Sequence, residues 1–238
     1  MMQPLEKAEN KPQKRISTGI EIFDELLGGG YDNDIITTVY GPSGSGKTNI
    51  CIISSLAVSN SGKKVIYIDT EGGFSIERLR QICGNDTGAL ERIFLIKPTN
   101  FKEQKEVFEK LKDYVKDDVG LIVVDTISML YRLEKGKEET IAEINQELGK
   151  QICFLTEIAR KKNSPVLISN QVYSDFDNRE RVKIVGGDIL KYGSKCLVEL
   201  QTGHKGLRKA ILKKHRNMPE DKEILFRIED KGILKIEP

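Results

Sequence analysis

Residues 35–48 read IITTVYGPSGSGKT, and this stretch decides the fold. It joins an apolar run, Ile35 to Tyr40, to a segment that matches the pattern G-x-x-x-x-G-K-[ST]. Glycines in that pattern let backbone N–H groups turn toward phosphate oxygens, the lysine neutralises phosphate charge and the threonine hydroxyl ligates Mg²⁺. The alternative, a glycine-rich turn with an accidental lysine, requires a chance match. We therefore predict a phosphate-binding loop whose contacts come from Gly41, Pro42, Ser43, Gly44, Ser45, Gly46, Lys47, Thr48 and the adjacent Asn49.

Further apolar runs follow the loop, separated by segments with helical periodicity. Continuous apolar runs indicate strands covered on both faces, and intervening helices imply parallel crossovers. The clearest helix is predicted over 139–162, where apolar residues recur at three- and four-residue steps. The pattern predicts an α/β fold with a mostly parallel, twisted sheet flanked by helices. The predicted strands of the core are Ile35 to Tyr40, Val65 to Asp69, Ile93 to Ile96, Leu121 to Asp125 and Val166 to Asn170.

After Cys196 the sequence consists of short segments in which apolar and polar residues partly alternate, which predicts antiparallel strands appended to the parallel core. At the other end, residues 1–16 are polar and lack periodicity, so they are predicted to form a flexible arm. A helix over Ile20 to Leu27, capped by Thr18, follows this arm. The remaining residues, 17–238, are expected to form a single domain.

Three polar side chains follow apolar strands at the edge where ligands sit in open α/β sheets. Asp125 ends a strand in the way expected of a carboxylate that holds Mg²⁺ beside the phosphate loop, although such an Asp is also a common turn or cap residue. Glu71 can accept a proton from a water that attacks the γ-phosphate, or it can cap the next helix. Gln171 can hydrogen-bond the γ-phosphate or that water, or it can form a turn. Together with Lys47, Glu71 and Gln171 form the predicted catalytic set.

The segment 203–216 contains six Lys or Arg and no acidic residue, although the whole chain has a net charge of only +2. Such a density of positive charge favours contact with a nucleic-acid backbone or with a neighbour's bound nucleotide. The alternative is a solvated surface that binds nothing. Few aromatic residues lie nearby, so backbone contact is favoured over base reading. The candidate DNA contacts here are Lys205, Arg208, Lys209, Lys213, Lys214, His215 and Arg216.

Composition excludes several classes of protein. With 38% hydrophobic and 31% charged residues over 238 positions, the chain is long enough for one sizeable core. No apolar run approaches the roughly 18 residues needed to cross a bilayer, and the first residues lack a secretory signal. We therefore expect a soluble, cytoplasmic protein without membrane contact. The four cysteines form no C-x-x-C pair and are expected to be reduced core residues.

These motifs, in this order and spacing, resemble the RecA superfamily of recombinases and specifically its archaeal RadB branch. The resemblance covers residues 17–200 and rests on six segments: Ser17 to Gly19, Gly41 to Thr48, Asp69 to Leu79, Asp125-Thr126 with Leu130 to Arg132, Ser169 to Val172, and Val185 to Asp188. It implies a RecA-like P-loop ATPase core that uses ATP and Mg²⁺. It also implies that Glu71 activates water, that Arg78 stacks on adenine, that Gln171 senses the γ-phosphate, and that Arg132 lies near a DNA-facing loop.

The resemblance further implies a role in DNA repair and homologous recombination. Only 16 residues precede Ser17 and none is Phe, whereas full-length recombinases carry an N-terminal domain and a linker phenylalanine that builds filaments. We therefore expect an accessory or regulator of the archaeal recombinase RadA, with weak or DNA-modulated ATPase activity. Implied partners are single-stranded DNA and a RadA-type recombinase, with double-stranded DNA, a Holliday-junction resolvase and a homodimer left open. The alternatives are a filament-forming strand-exchange recombinase and a KaiC-like signalling ATPase.

Overall fold

The computed structural model describes residues 14–84, 88–134, 141–174 and 182–237. Within these ranges the helices are α1 (Glu21–Leu27), α2 (Lys47–Asn60), α3 (Ile76–Cys83), α4 (Phe101–Tyr114), α5 (Met129–Glu134), α6 (Ile141–Lys162) and α7 (Gly187–Gly193). The strands are β1 (Arg15–Ile16), β2 (Tyr31–Asp32), β3 (Ile36–Gly41), β4 (Lys64–Asp69), β5 (Ile93–Ile96), β6 (Val119–Asp125), β7 (Val166–Ser174), β8 (Val182–Ile184), β9 (Cys196–Thr202), β10 (Arg208–His215), β11 (Glu223–Glu229) and β12 (Gly232–Ile236).

One large sheet organises the molecule, with β12-β11-β10-β9-β3-β7-β6-β4-β5 as its strand order and β8 paired to β7. The pairs β4 with β5, β4 with β6, β6 with β7, β3 with β7 and β3 with β9 are parallel. From β9 outward the pairing is antiparallel. The predicted parallel core with appended antiparallel strands is confirmed.

The apolar runs of β3, β4 and β6 are continuous because these central strands are buried on both faces. Along β3, Ile36 and Tyr40 contribute to one hydrophobic cluster, whereas Val39 contributes to a second cluster on the opposite face. Helices α4 and α6 pack on the first face, and α1 and α2 pack on the second. Both faces of the strand therefore need apolar side chains, which removes the alternation expected of a half-exposed strand.

Several boundaries differ from the predictions. Strand β7 continues four residues past Asn170, to Ser174, where β8 pairs with it. Folding starts earlier than Ser17, because Arg15 and Ile16 pair with β2. The first two residues of the helix predicted over 139–162, like residues 1–13 of the predicted arm, lie outside the described ranges.

The predicted cap of the first helix is wrong. Its N-cap is Ile20, which makes no side-chain capping bond, whereas the Thr18 hydroxyl accepts from the Ile20 N–H and donates to the Ile20 carbonyl. The Asp24 carboxylate instead holds the approach to the helix by accepting from the Thr18 N–H at 2.7 Å. The carboxylate therefore orders the residues that enter the helix.

The cysteines divide between the core and the surface. Cys51 and Cys196 are buried, as expected, whereas Cys83 is half-buried and Cys153 is exposed on α6. All four are free thiols. In the part of the chain that the structure describes, every helix is too short or too polar to cross a bilayer.

Candidate nucleotide site

The phosphate-binding loop joins β3 to α2, as the sequence predicts. Gly44 and Gly46 adopt φ values of 74° and 106°, a region that side chains with a Cβ rarely occupy. The Lys47 ammonium is buried and donates to the carbonyls of Gly41 and Pro42 at 3.0 and 2.8 Å. Burial lowers the pKa of Lys47, while the nearby negative charges of Glu71 and Asp125 raise it. The loop therefore presents backbone amides and one cation beside two carboxylates.

Strand register brings the other predicted residues to this loop. Gln171 is the direct neighbour of Gly41 where β7 pairs with β3, and Asp69 is the neighbour of Asp125 where β4 pairs with β6. Because these strands run parallel, their carboxyl ends lie at one edge of the sheet. Four side chains from separate segments of the chain thus lie around the space beside the phosphate-binding loop: Lys47, Glu71, Asp125 and Gln171.

Asp125 is fixed by hydrogen bonds to both of its carboxylate oxygens. The Tyr67 hydroxyl donates to Oδ2 at 2.8 Å, and the Ser169 hydroxyl donates to Oδ1. The side chain is almost completely buried. The sequence did not identify Tyr67 or Ser169 as anchors of Asp125. Both lie on strands that pair with β6: Tyr67 is two residues before the end of β4, and Ser169 is two residues before Gln171 on β7. Their positions on these neighbouring strands could have identified them.

Glu71 and Gln171 are in direct contact, since Gln171 Nε2 donates to Glu71 Oε1. The amide oxygen of Gln171 in turn accepts from Arg132 Nη1 at 2.7 Å. Partial burial of the Glu71 carboxylate raises its pKa, and the negative charge of Asp125 raises it further. A carboxylate with a raised pKa beside a phosphate-binding loop has the properties of a general base. Arg132, expected near a DNA-facing loop, lies at the outer end of this chain of hydrogen bonds.

The segment that carries Glu71 is held by Asp69, a role not among the predictions from the sequence. Its carboxylate accepts from the backbone N–H groups of Gly72, Gly73 and Phe74 at 2.8, 3.1 and 3.1 Å. An Asp followed closely by glycines is typical of turns in which the side chain bonds the backbone ahead of it. That pattern could have identified Asp69 as the residue that orders the loop.

Arg78 lies on α3 and reaches across α2 to the C-terminal strands. Its Nε donates to Asn49 Oδ1 at 2.8 Å, Nη1 to the carbonyl of Asp230 at 2.9 Å and Nη2 to the carbonyl of Glu229 at 2.7 Å. Asn49, predicted to contact nucleotide, thus shares the guanidinium with the turn between β11 and β12. Stacking of Arg78 on adenine stays a prediction.

The candidate DNA contacts are dispersed and largely paired with groups from elsewhere in the fold. Lys209 contacts Glu223 at 3.0 Å and Lys213 contacts Asp221 at 2.5 Å. Lys214 donates to the carbonyls of Lys191 and Ser194, and burial lowers its pKa. Lys205 is exposed on the short turn before β10.

His215 and Arg216 belong to a polar cluster around the buried carboxylate of Asp32. The His215 side chain is 2% exposed, and its Nε2 lies 3.7 Å from Asp32 Oδ2. Arg216 Nε donates to the same Asp32 at 3.1 Å, and Arg15 Nε donates to it at 2.8 Å. Burial lowers the pKa of His215. This cluster ties β1 and β2 to the end of β10.

Arg208 departs most from the prediction, because it contacts the phosphate-binding loop of its own chain. Its Nε donates to the Gly44 carbonyl at 3.2 Å, and Nη1 donates to the Gly206 carbonyl at 2.8 Å. The sequence predicts that the basic segment contacts DNA or a neighbour's nucleotide. It does not predict that Arg208 lies beside this loop, because that position follows from the pairing of β9 with β3.

Comparison with known proteins decides the family. A profile of the Rad51 family matches residues 10–236. The chain is also 44% identical over 228 residues to the DNA repair and recombination protein RadB of Thermococcus kodakarensis, covering 93% of this chain and 100% of that one. The chain belongs to the Rad51 family, in its archaeal RadB branch. The RadB of Methanobrevibacter smithii is 41% identical over 219 residues, covering 89% of this chain and 92% of that one.

The fold is likewise that of this family. The crystal structure of a RadB recombinase matches with a TM-score of 0.79 and 43% sequence identity, covering 93% of this chain and 100% of that chain. The predicted RecA-like fold and the resemblance to RadB are therefore confirmed.

Proposed function

We propose that this protein binds ATP with Mg²⁺, hydrolyses it slowly, binds DNA, and acts in DNA repair and homologous recombination as an accessory of the main recombinase. The observation that carries the nucleotide part is the convergence of Lys47, Glu71, Asp125 and Gln171 on the loop after β3. The relatives named above are DNA repair and recombination proteins, which supports the cellular role.

The residues present fit a nucleotide and a divalent cation. The Ser45 hydroxyl is buried in the loop and has no hydrogen-bond partner among the described residues, so it is available to a phosphate oxygen. Thr48 and Asp125 would hold Mg²⁺, and a set of only two protein ligands suits an ion that keeps waters and phosphate oxygens. When bound, the ion neutralises phosphate charge and orients the triphosphate.

Hydrolysis then depends on Glu71 and Gln171. Glu71 removes a proton from a water as the water oxygen bonds to the γ-phosphorus and the bond to the bridging oxygen breaks. Gln171 is placed to donate to the γ-phosphate or to the water, but in this structure its Nε2 donates to Glu71 and its oxygen accepts from Arg132. This contact must open before Gln171 can act, which supports the proposal that turnover without DNA is slow.

DNA binding rests on the basic side chains that remain at the surface. Lys205 and Arg132 are exposed. Lys205 lies on the turn before β10, and Arg132 lies on α5 and donates a hydrogen bond to Gln171 of β7. Contacts with phosphates would give an affinity that falls as salt rises, with little dependence on sequence.

The experiment that tests the proposal is ATP turnover with and without single-stranded DNA, combined with strand exchange by a RadA-type recombinase in the presence and absence of this chain. We expect slow turnover that changes when DNA is added, and a change in RadA-dependent exchange with no exchange by this chain alone. Failure to bind ATP would refute the nucleotide function. Efficient exchange by the isolated chain would refute the accessory role and favour a true recombinase.

A further inference from the structure

The outer side of the phosphate-binding loop lies against the C-terminal strands β10 and β11. Arg208, on β10, donates from Nε to the Gly44 carbonyl at 3.2 Å. Ile228, on β11, lies so close to Gly46 that a Cβ there would be 2.7 Å from Ile228 Cδ1. An apolar contact has no preferred direction, whereas a hydrogen bond orients the carbonyl that accepts it. Of these two residues, Arg208 is therefore the one that can set the orientation of a peptide in the loop.

The bond from Arg208 determines where the next backbone donor of the loop points. The Gly44 carbonyl and the Ser45 N–H belong to one planar trans peptide unit, so they point to opposite sides of the chain. With that carbonyl held by Arg208, the Ser45 N–H points away from β10 and donates to the Pro42 carbonyl at 3.3 Å. The Lys47 ammonium donates to the same carbonyl at 2.8 Å. Two donors thus converge on the inner side of the loop, where a phosphate oxygen can replace the Pro42 carbonyl as their acceptor.

The loop needs an anchor from outside because of its glycines. Gly44 and Gly46 have φ values of 74° and 106°, and glycine also adopts many other backbone conformations at little cost. Backbone freedom that remains in the empty loop must be lost when a triphosphate binds, and this loss lowers the affinity. A contact that orders the loop before binding removes part of that cost.

The Arg208 side chain is itself held at a second point. Its Nη1 donates to the carbonyl of Gly206 at 2.8 Å, in the short turn before β10. Because the donors of a guanidinium lie in one rigid plane, bonds from two of its nitrogens fix both its position and its orientation. The pairing of β10 with β9, and of β9 with β3, keeps the turn beside the loop. The guanidinium is therefore a fixed donor rather than a mobile surface cation.

We propose that Arg208 is a positioning residue for nucleotide binding in its own chain, and that it orders the Gly44–Ser45 peptide of the loop before the triphosphate arrives. This inference rests on the proposed ATP binding and deepens it, since it assigns one residue of the basic segment to the nucleotide site. Arg208 acts through the loop and not by touching the nucleotide. It should therefore affect every ligand that the loop binds through phosphates, with or without a nucleoside.

Two variants separate the hydrogen bonds of Arg208 from its charge. Arg208→Met keeps a long side chain without donors, and Arg208→Lys keeps the charge without the rigid fork. By calorimetry, Arg208→Met is expected to weaken the binding of both ATP with Mg²⁺ and inorganic tripolyphosphate about fivefold, and Arg208→Lys about threefold. The matched control is Arg227→Met, which removes an exposed arginine from the neighbouring strand β11 and should bind both ligands as wild type.

Two further measurements distinguish positioning from a general structural role. In the nucleotide-free Arg208→Met chain, exchange of the amides at residues 44–46 is expected to be about fivefold faster than in wild type, while the urea midpoint of unfolding is unchanged. In hydrolysis, the ATP concentration for half-maximal turnover should rise about fivefold while the rate at saturation stays within about twofold, because an ordered loop contributes equally to the bound state and to the transition state.

Three outcomes would overturn the inference. Arg208→Met could bind ATP and tripolyphosphate as wild type does. Arg208→Lys could restore full affinity, which would show that the charge and not the bond geometry matters. Arg208→Met could lower the urea midpoint and speed amide exchange throughout the sheet, which would make Arg208 a general structural residue. In each case ATP binding by the wild-type chain would leave the proposed function standing, whereas failure of the wild-type chain to bind ATP would refute both.

Discussion

Gln171 donates a hydrogen bond to Glu71 across a sequence separation of 100 residues. This contact joins the residue placed to sense the γ-phosphate to the residue placed to activate water. Arg132 holds the other end of the same amide, so the orientation of Gln171 is fixed from both sides.

Replacing Lys47 by Ala should abolish ATP binding. The buried ammonium is the cation of the loop, and its loss removes the charge-assisted hydrogen bonds that it would make to phosphate oxygens. Calorimetric titration with ATP and Mg²⁺ measures the effect. The control is Lys63→Ala, an exposed lysine just past α2, which should bind as wild type. Retained affinity in Lys47→Ala would remove the basis for the nucleotide site.

Replacing Glu71 by Gln should lower the rate of hydrolysis by about 10²-fold or more, because the amide cannot accept the proton of the attacking water. ATP binding should stay within a few-fold of wild type. Single-turnover hydrolysis separates the two quantities. Glu77→Gln, in the first turn of α3, is the matched control. A variant that binds poorly and hydrolyses at the normal rate once saturated would show that Glu71 acts in binding alone.

Replacing Asp32 by Asn should destabilise the fold by about 3 kcal/mol, since it leaves the paired guanidinium groups of Arg15 and Arg216 without their shared carboxylate. The control is Asp34→Asn. Its carboxylate also pairs with Arg216 but is 38% exposed, so its removal should cost less than about 1 kcal/mol. Urea unfolding measures both values. Equal losses would contradict the assignment of Asp32 as the centre of the cluster.

The pH dependence of stability should report the pair between Asp34 and Arg216. Hydrogen bonding from Arg216 holds the pKa of Asp34 below its usual value of 3.8. A group with a depressed pKa stabilises the folded state above its unfolded pKa and loses that contribution as pH falls through the folded pKa. The difference in unfolding free energy between wild type and Asp34→Asn should therefore be full at pH 5 and disappear at pH values well below 3.8. A difference independent of pH would argue against the ion pair.

Replacing Lys205 by Ala should weaken DNA binding without changing stability, because this exposed side chain lies on the turn before the basic strand. If it contacts one phosphate, the slope of the logarithm of the binding constant against that of salt concentration should fall by about one. Fluorescence anisotropy at several salt concentrations gives the slope. Lys235→Ala, which removes a lysine paired with Glu25, is the control and should leave the slope unchanged.

The sequence was sufficient to predict the parallel strands, because apolar runs such as Ile93 to Ile96 are continuous and match strand β5 residue for residue. It also predicted that Lys47, Glu71, Asp125 and Gln171 would meet, since strand ends in a parallel sheet share an edge. The sequence did not predict which residues of the C-terminal strands contact the phosphate-binding loop. The positions of Arg208 and Ile228 depend on β9 pairing with β3, a contact between distant segments that no local pattern encodes.

The basic segment shows the same limit for charge. Residues 203–216 include no acidic residue, but in the folded chain their cations pair with carboxylates from other segments. Lys209 pairs with Glu223, Lys213 with Asp221, and Arg216 with Asp32 and Asp34. A run of cations in the sequence is therefore not a run of available cations on the surface. His215 was counted with them, although its side chain is enclosed by the protein.

These ion pairs also determine how a polyanion would meet strand β10. Each phosphate that approaches Lys209 or Lys213 must compete with a carboxylate that already occupies the ammonium, so association becomes an exchange of partners. The displaced carboxylates face a like-charged ligand unless they move away or take up cations from solution. Uptake of cations opposes the release of counterions from DNA, and binding through these lysines would respond to ionic strength less steeply than their number suggests.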